Sequence, residues 1–263
     1  MQHSALLNVM IAAARKAART LKRDFGEVEN LQVSLKGPGN FVTAADRKAE
    51  ETLKAELAKA RPGYGFLGEE SGSHAGTDTT HTWIVDPLDG TTNFLHGIPQ
   101  FAISIGLERS GTIVAGVIYN PITDELFVAE RGKGAFLNDK RLRVAARKRL
   151  ADSVIACGLP HLGRGDLDLG LRELSAVQDK VAGLRRFGAA ALDMAFVAAG
   201  RLDGYWERNI SPWDIAAGII ILREAGGFVT DIDGTDAMFT KKHVVAGNET
   251  IQRELQRLLK AAG

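Results

Sequence analysis

The chain has 263 residues, 33 of them basic and 32 acidic, for a formal net charge of +1. That length suits one large or two smaller domains with a real core, and the balanced charge excludes a global electrostatic pull toward nucleic acid or an anionic membrane. No apolar run approaches the roughly 20 residues of a bilayer span and no signal-peptide core opens the chain, so a soluble, cytoplasmic protein with no membrane partner is expected. The single cysteine, Cys157, excludes an internal disulfide or a thiolate metal cluster, and within Ser153-Val154-Ile155-Ala156-Cys157 it reads as a small strand hydrophobe.

From about 4 to 24, Leu7, Met10, Ile11, Ala14, Ala18 and Leu21 recur with helical spacing, and Lys16, Arg19 and Arg23 form the solvated side. A second helix is signalled by Thr43 as cap, Asp46 three residues on and the stripe Ala49, Leu53, Leu57, ending near Arg61-Pro62. Strands are predicted at 64–68, 82–85, 102–107, 113–119 and 125–130, then a glycine-bounded hairpin near 132–137. The first half therefore reads as α+β. From about 150 strands and helices alternate, giving α/β: strands at 154–157, 184–187, 204–207, 228–231 and 243–246, and helices at 166–181, 189–199 and 212–225. The last of these helices opens with Ser211 as cap and Pro212 at its first position, and a terminal amphipathic helix carries Ile251, Leu255, Leu258 and Leu259. There is no repeat or linker, and the halves divide as 1–145 and 146–263.

One segment concentrates chemistry: Trp83-Ile84-Val85-Asp86-Pro87-Leu88-Asp89-Gly90-Thr91-Thr92-Asn93. An apolar strand should end at Asp86, because Pro87 cannot continue it and Gly90 is free to turn. Asp86 and Asp89 then flank one small cavity. Two such carboxylates raise one another's pKa unless a cation neutralises them, and hard oxygen ligands suit Mg²⁺. Gly90, Thr91 and Thr92 follow with free N–H groups and hydroxyls at a helix start, where anions bind. The same letters also describe an ordinary turn whose aspartates bond local backbone, and the segment alone does not choose. Other acids fall at element ends: Glu69 leaves the strand at 64–68 much as Asp86 leaves its own, and Asp214 lies in the first turn of an apolar helix, where a dipole-favoured aspartate is common.

Taken together, Gly68-Glu69-Glu70, the segment 83–93 and Pro212-Trp213-Asp214-Ile215-Ala216-Ala217-Gly218 resemble the signature segments of the inositol monophosphatase family. Supporting segments are Asn40 to Asp46, Arg186 to Ala191, Gly204-Tyr205-Trp206-Glu207 and Glu224-Ala225-Gly226-Gly227, so the resemblance covers nearly the whole chain. It implies a layered α/β/α/β/α sandwich of the sugar-phosphatase type, Mg²⁺-dependent hydrolysis of a phosphate monoester, lithium sensitivity and a homodimer. Carried over residue by residue, Glu69, Asp86, Asp89 and Asp214 match carboxylate ligands of the metal, and the Leu88 carbonyl matches a main-chain ligand. Thr91 and Asp46 match the pair that orients or deprotonates the attacking water, with Glu69 beside them. Leu88, Asp89, Gly90, Thr91, Gly188, Ala189, Ala190, Glu207 and Asp214 match positions around the substrate, and Lys36 matches a weaker basic position. Four acids exceed what one Mg²⁺ needs but suit two ions sharing Asp86, with room for a third, weaker one. His96 and His161 show no metal-ligand spacing and read as surface or loop residues, with contact to substrate as the alternative.

A competing motif, Phe228-Val229-Thr230-Asp231-Ile232-Asp233-Gly234-Thr235, resembles the aspartyl-phosphate motif of haloacid-dehalogenase-like phosphatases. Only 28 residues follow Thr235, too few for the rest of that sheet, so Asp231 to Thr235 reads as a strand end and turn. A non-enzymatic alternative keeps the fold as a regulatory binding protein. Arg185-Arg186 and the basic run from Lys140 to Arg149 could form a patch for a nucleic-acid or transcription-factor partner, although the near-neutral charge gives this no support. Glu207 can accept hydrogen bonds from polyol hydroxyls and would repel a second phosphate. That favours a polyol monophosphate, which the resemblance makes inositol 1-phosphate, with histidinol phosphate the runner-up because a carboxylate can also hold its ammonium group, ahead of fructose 1,6-bisphosphate or 3′-phosphoadenosine 5′-phosphate.

Overall fold

The first helix, α1 (Ala5–Phe25), starts where the Ser4 side chain accepts the Leu7 N–H at 3.1 Å, and it buries Leu7, Met10, Ile11, Ala14, Ala18 and Leu21 as its spacing predicts. This computed structural model describes residues 3–27, 33–37, 40–161 and 165–263. A short hairpin of β1 (Val33–Gly37) and β2 (Asn40–Thr43) leads into α2 (Ala44–Ala60), on which Ala45, Ala49, Leu53 and Leu57 face inward. The side chains of Lys36, the weaker basic position, and of Thr43, the expected cap of α2, lie outside the described residues.

Next come β3 (Tyr64–Gly68), β4 (Gly72–His74), β5 (Asp78–Asp89), α3 (Thr91–Leu95), β6 (Ala102–Arg109), β7 (Thr112–Asn120), β8 (Glu125–Glu130), β9 (Gly134–Leu137) and β10 (Lys140–Arg141). They form an eight-stranded sheet in the order β10-β9-β8-β7-β6-β5-β3-β4, antiparallel except for the parallel pair β3 and β5. The second half contains β11 (Val154–Cys157), α4 (Leu167–Gln178), β12 (Gly183–Arg185), α5 (Ala190–Ala198), β13 (Gly204–Arg208), α6 (Pro212–Glu224), β14 (Phe228–Thr230), α7 (Met238–Lys241), β15 (His243–Gly247) and α8 (Glu249–Ala262). Its sheet has five strands in the order β12-β11-β13-β15-β14, parallel among the first three and antiparallel around β15.

Side-chain alternation shows how these pieces stack. Along β5, Trp83 and Val85 join α1 and α2 in one core, whereas Ile84 joins α5 and α6 in another. In the second sheet Ala156, Tyr205, Val244 and Ala246 share the α5–α6 core, while Ile155, Cys157, Trp206 and Val245 turn to the other face, against Val177 of α4 and Ile251, Leu255 and Leu259 of α8. The layers therefore run α1/α2, sheet, α5/α6, sheet, α4/α8, which is the predicted α/β/α/β/α sandwich.

Three local expectations need correction. Strand β5 does not stop at Asp86 but continues through Pro87 to Asp89. It can do so because the register slips there: Asp86 faces Ser104 and Asp89 faces Ala102, so β5 spends one residue more than β6. Pro87 sits in this bulge, where its missing N–H breaks no regular ladder. The strand predicted at 184–187 lies at Gly183–Arg185, leaving Phe187 beyond it. The edge strands β4 and β10 and the four-residue helix α7 are too short to show a period and were not foreseen.

Candidate active site

The bulge in β5 sets the site. Asp86 Oδ1 accepts the Leu88 N–H at 2.9 Å, so this aspartate does bond local backbone as the turn reading required. Its carboxyl is nonetheless aimed into a cluster, because ligand oxygens of Asp86, Asp89 and Asp214 all lie within 4.8 Å of one another. Gly90 then adopts φ 94°, a left-handed conformation that L side chains resist, and caps α3. A Cβ at Gly90 would also come within 2.9 Å of the Gln100 carbonyl oxygen.

Two helices complete the cluster from the other side. Asp89 accepts the N–H groups of Ala190 and Ala191, at 3.2 and 2.7 Å, and so occupies the N-terminus of α5. Asp214 enters at the first turn of α6, where its Oδ2 accepts the Ser211 N–H at 2.7 Å. What brings α6 so near is a pair of glycines. Gly106 and Gly116 face each other on β6 and β7; a Cβ on Gly106 would meet the Ala216 Cβ at 2.8 Å, and one on Gly116 the Ile220 Cγ2 at 2.6 Å. The notch lets α6 lie on the sheet, with Ser104 Oγ donating to the Trp213 carbonyl at 3.3 Å.

Glu69 leaves β3 beside β5, its N–H donating to the Val85 carbonyl at 3.3 Å. It lines the same cavity but lies outside the tight trio of acids. Its charge still reaches them. Burial first, and then the charges of Glu69, Asp89, Asp214 and Asp46, push the Asp86 carboxyl well above the usual carboxylate range. Burial and Asp214 do the same to Asp89. Asp214 is pushed up to about 7 by burial and then by Glu69, against the opposing Ser211 hydrogen bond. These acids resist ionising together in the bare protein, and a hard divalent cation would relieve that cost.

Thr91 Oγ1 donates to the Leu88 carbonyl at 3.0 Å and lies 3.5 Å from Oδ2 of the buried Asp46, on the first turn of α2. The cavity, about 350 Å³, is lined by Glu69, Asp86, Leu88, Asp89, Gly90, Thr91, Thr92, Gly188, Ala190, Glu207 and Asp214. Asp46 and Ala189 are not among its lining residues; Ala189 is buried, with its Cβ 3.2 Å from where a Gly90 side chain would start. His161 lines the cavity rim and is exposed, while His96 caps α3 away from it. The cavity also holds Cys157 and Arg186, read from the sequence as a strand hydrophobe and as part of a basic patch, and Asp193, to which the sequence reading gives no role. Burial pushes the Cys157 thiol up to about 12, which fits a packed hydrophobe and not a nucleophile. Asp193 is buried, and its Oδ1 makes no hydrogen bond among the described residues. As the one charged residue of the apolar stretch 189–199, it had a visible signal.

Glu207 forms another part of the cavity wall. Its carboxylate accepts the Tyr205 hydroxyl and lies over Gly158, where a Cβ would fall 1.9 Å from the Glu207 Cδ. Within the basic run, Arg147 pairs with Asp203 at 2.6 Å and Arg149 with Asp152 at 3.1 Å. Asp231 ends a strand and turns, as predicted: it accepts the Thr235 N–H at 2.8 Å and hydroxyl, and pairs with Lys241 at 3.0 Å.

Residues 2–262 match the inositol monophosphatase family. The chain belongs to that family. An inositol-1-monophosphatase of Mesorhizobium japonicum is 65% identical over 260 residues, covering 99% of this chain and 98% of the relative. The crystal structure of extragenic suppressor protein suhB from Bartonella henselae superposes with a TM-score of 0.95 at 63% identity, covering 98% of this chain and 99% of that one. A Nus factor SuhB of Pseudomonas aeruginosa is 42% identical over 92% of this chain and 91% of its own length. Within this inositol monophosphatase family fold, Asp86, Asp89 and Asp214 converge from the two halves of the chain, and no helix among the described residues is long and apolar enough to cross a membrane.

Proposed function

We propose that this protein is a Mg²⁺-dependent phosphate-monoester hydrolase acting on a small polyol monophosphate, inositol 1-phosphate foremost. The observation that carries the reading is the trio of acids within 4.8 Å, placed beside Gly90 and Thr91 in a cavity whose far side holds Glu207. The donor set fits the metal: clustered carboxylates whose pKa values are driven up by burial and then by neighbouring acids, the Leu88 carbonyl and no thiolate partner. Asp86, Asp89, Asp214, Glu69 and the Leu88 carbonyl would hold it, as two ions with a third, weaker one allowed. Bound Mg²⁺ supplies charge neutralisation at the phosphoryl oxygens and the leaving oxygen.

The chain's own groups do the rest. Gly90 and Thr91 offer N–H groups to the phosphoryl oxygens, which Gly90 allows to approach closely. Thr91 Oγ1 accepts a hydrogen bond from the attacking water; as it takes that proton, its own hydroxyl proton, turned away from the Leu88 carbonyl, passes to Asp46 Oδ2, 3.5 Å away. The water oxygen bonds to phosphorus as the bond to the alcohol oxygen breaks, and the departing alkoxide takes a proton from solvent. Glu207, held by the Tyr205 hydroxyl over Gly158, accepts hydroxyl hydrogens of the alcohol, with Gly188 and Ala190 shaping that end and Ala189 buried behind them. A homodimer, cytoplasmic location and lithium inhibition belong to the same proposal, and the relative named Nus factor SuhB favours a regulatory partner as an added role.

The test is kcat/KM for inositol 1-phosphate, histidinol phosphate, fructose 1,6-bisphosphate and 3′-phosphoadenosine 5′-phosphate, with EDTA and Li⁺ controls. Inositol 1-phosphate should lead, and EDTA and Li⁺ should each suppress turnover. Preference for the bisphosphorylated nucleotide would overturn the substrate assignment. Absence of turnover on every substrate at excess Mg²⁺ would leave the regulatory role alone.

A further inference from the structure

Helix α2 does more than present Asp46. Glu50 lies one helical turn further along the same face, buried to 3% exposure, and its carboxylate does not reach the catalytic cavity. Instead Oε2 accepts the Glu70 N–H and Oε1 accepts the Ser71 N–H, each at 2.8 Å. Both N–H groups belong to the turn between β3 and β4 that carries Glu69. A carboxylate taken out of water needs such partners, and two short charge-assisted bonds fix a turn far better than one neutral contact. The room for it is made by Gly68, where a Cβ would stand 2.5 Å from Glu50 Oε2. One turn earlier on α2, Arg47 reaches the Glu70 carboxylate at 3.7 Å.

Resting on the metal reading above, we propose that Glu50 is a positioning residue for Glu69, clamping the turn that delivers this ligand and setting its distance from Asp86. The helix thereby couples the two sides of the site: Asp46 faces Thr91, and Glu50 holds the turn of Glu69, on one rigid element. Gln at position 50 keeps the size but puts an amide NH₂ against one of the two backbone N–H groups, which it cannot accept.

The experiment is Mg²⁺ binding to the substrate-free protein by calorimetry, for wild type, Glu50→Gln, Glu69→Gln and the double variant. Glu50→Gln should raise the metal Kd by about 10-fold or more, the size seen when groups that orient a metal ligand are removed. At saturating Mg²⁺ its kcat should stay within about 2-fold to 3-fold of wild type, so the loss falls on the metal constant and not on the chemistry. In the Glu69→Gln background the same change should alter Kd by less than about 2-fold, because its effect runs through Glu69. Gly68→Ala, which drives a methyl group into Glu50 Oε2, should reproduce the weakened binding and decides the matter by the same cycle if Glu50→Gln does not fold. Unchanged Mg²⁺ affinity in Glu50→Gln, or a penalty that simply adds to that of Glu69→Gln, overturns the proposal. A wild type that binds no Mg²⁺ overturns the metal reading together with it.

Discussion

At the scale of single residues, Asp86, Asp89 and Asp214 are placed where their charges conflict until a cation arrives. Asp89→Asn or Asp214→Asn removes charge with little change in volume, so metal-dependent turnover should be lost while circular dichroism stays native and the metal-free melting temperature holds or rises. Retained turnover in either variant contradicts the site. The sign of the pH dependence follows from the raised pKa of Asp214, about 7 against an ordinary 3.8. Between those values the folded chain holds a proton that the unfolded chain has released, so metal-free stability falls as pH rises through that window. Metal competes with the same protons, and the rise in melting temperature on adding Mg²⁺ should be larger at pH 8 than at pH 6; an equal rise at both would refute it. Asp231 has the opposite sign. Burial opposes its charge, but Thr235 and Lys241 hold it down to about 2, so its contribution is present above the ordinary value of 3.8 and lost as pH falls toward 2. Asp231→Asn should cost about 2 kcal/mol and leave turnover intact. Lost turnover in a folded Asp231→Asn protein would revive the covalent aspartyl-phosphate chemistry.

At the scale of elements, the site is a meeting of ends: the bulge closing β5, the exit of β3, and the N-termini of α5 and α6. The close seat of α6 on Gly106 and Gly116 carries Asp214 to the cluster, whereas its hydrogen bond from the Ser211 N–H only fixes it within the first turn of α6. Gly116→Val should therefore lower stability by about 1–3 kcal/mol through overpacking and weaken Mg²⁺ binding as well. Calorimetric titration checks this, and weakened stability with intact metal affinity would show that α6 can ride outward without carrying Asp214. At the alcohol end, Gly158→Ala would displace Glu207, which a Cβ there would overlap at 1.9 Å. It should raise KM for the polyol phosphate more than it lowers kcat, and an unchanged KM would remove Glu207 from substrate recognition.

At the scale of the molecule, the helices at the two ends of the chain were legible in their own stripes, as α1 and α8 show, whereas the five-layer stacking was implied by the family resemblance and is seen in the structure as Trp83, Ile84 and Val85 alternate between two apolar cores. The acids were legible through their order along the chain. What could not be read was the geometry that lets them meet. The bulge at Asp86 to Asp89 is a register slip against Ala102 and Ser104, a long-range property, and Pro87 pointed to a strand end instead. Gly106, Gly116 and Gly158 look like ordinary strand and loop glycines until the element packed on each is known, and Glu50 looks like a solvated helix residue until its two backbone donors come into view. The division of the chain near residue 145 remains a proposal for limited proteolysis to test.

All these scales converge on one claim, that the clustered acids build a metal site for hydrolysing a polyol monophosphate. The most direct test is phosphate release from inositol 1-phosphate by the purified chain after EDTA treatment, followed during Mg²⁺ titration, beside Asp214→Asn. Turnover should be absent without metal, return saturably with Mg²⁺ in the wild type and stay absent in the variant; turnover that survives EDTA, or that Mg²⁺ restores equally in both proteins, would contradict the account.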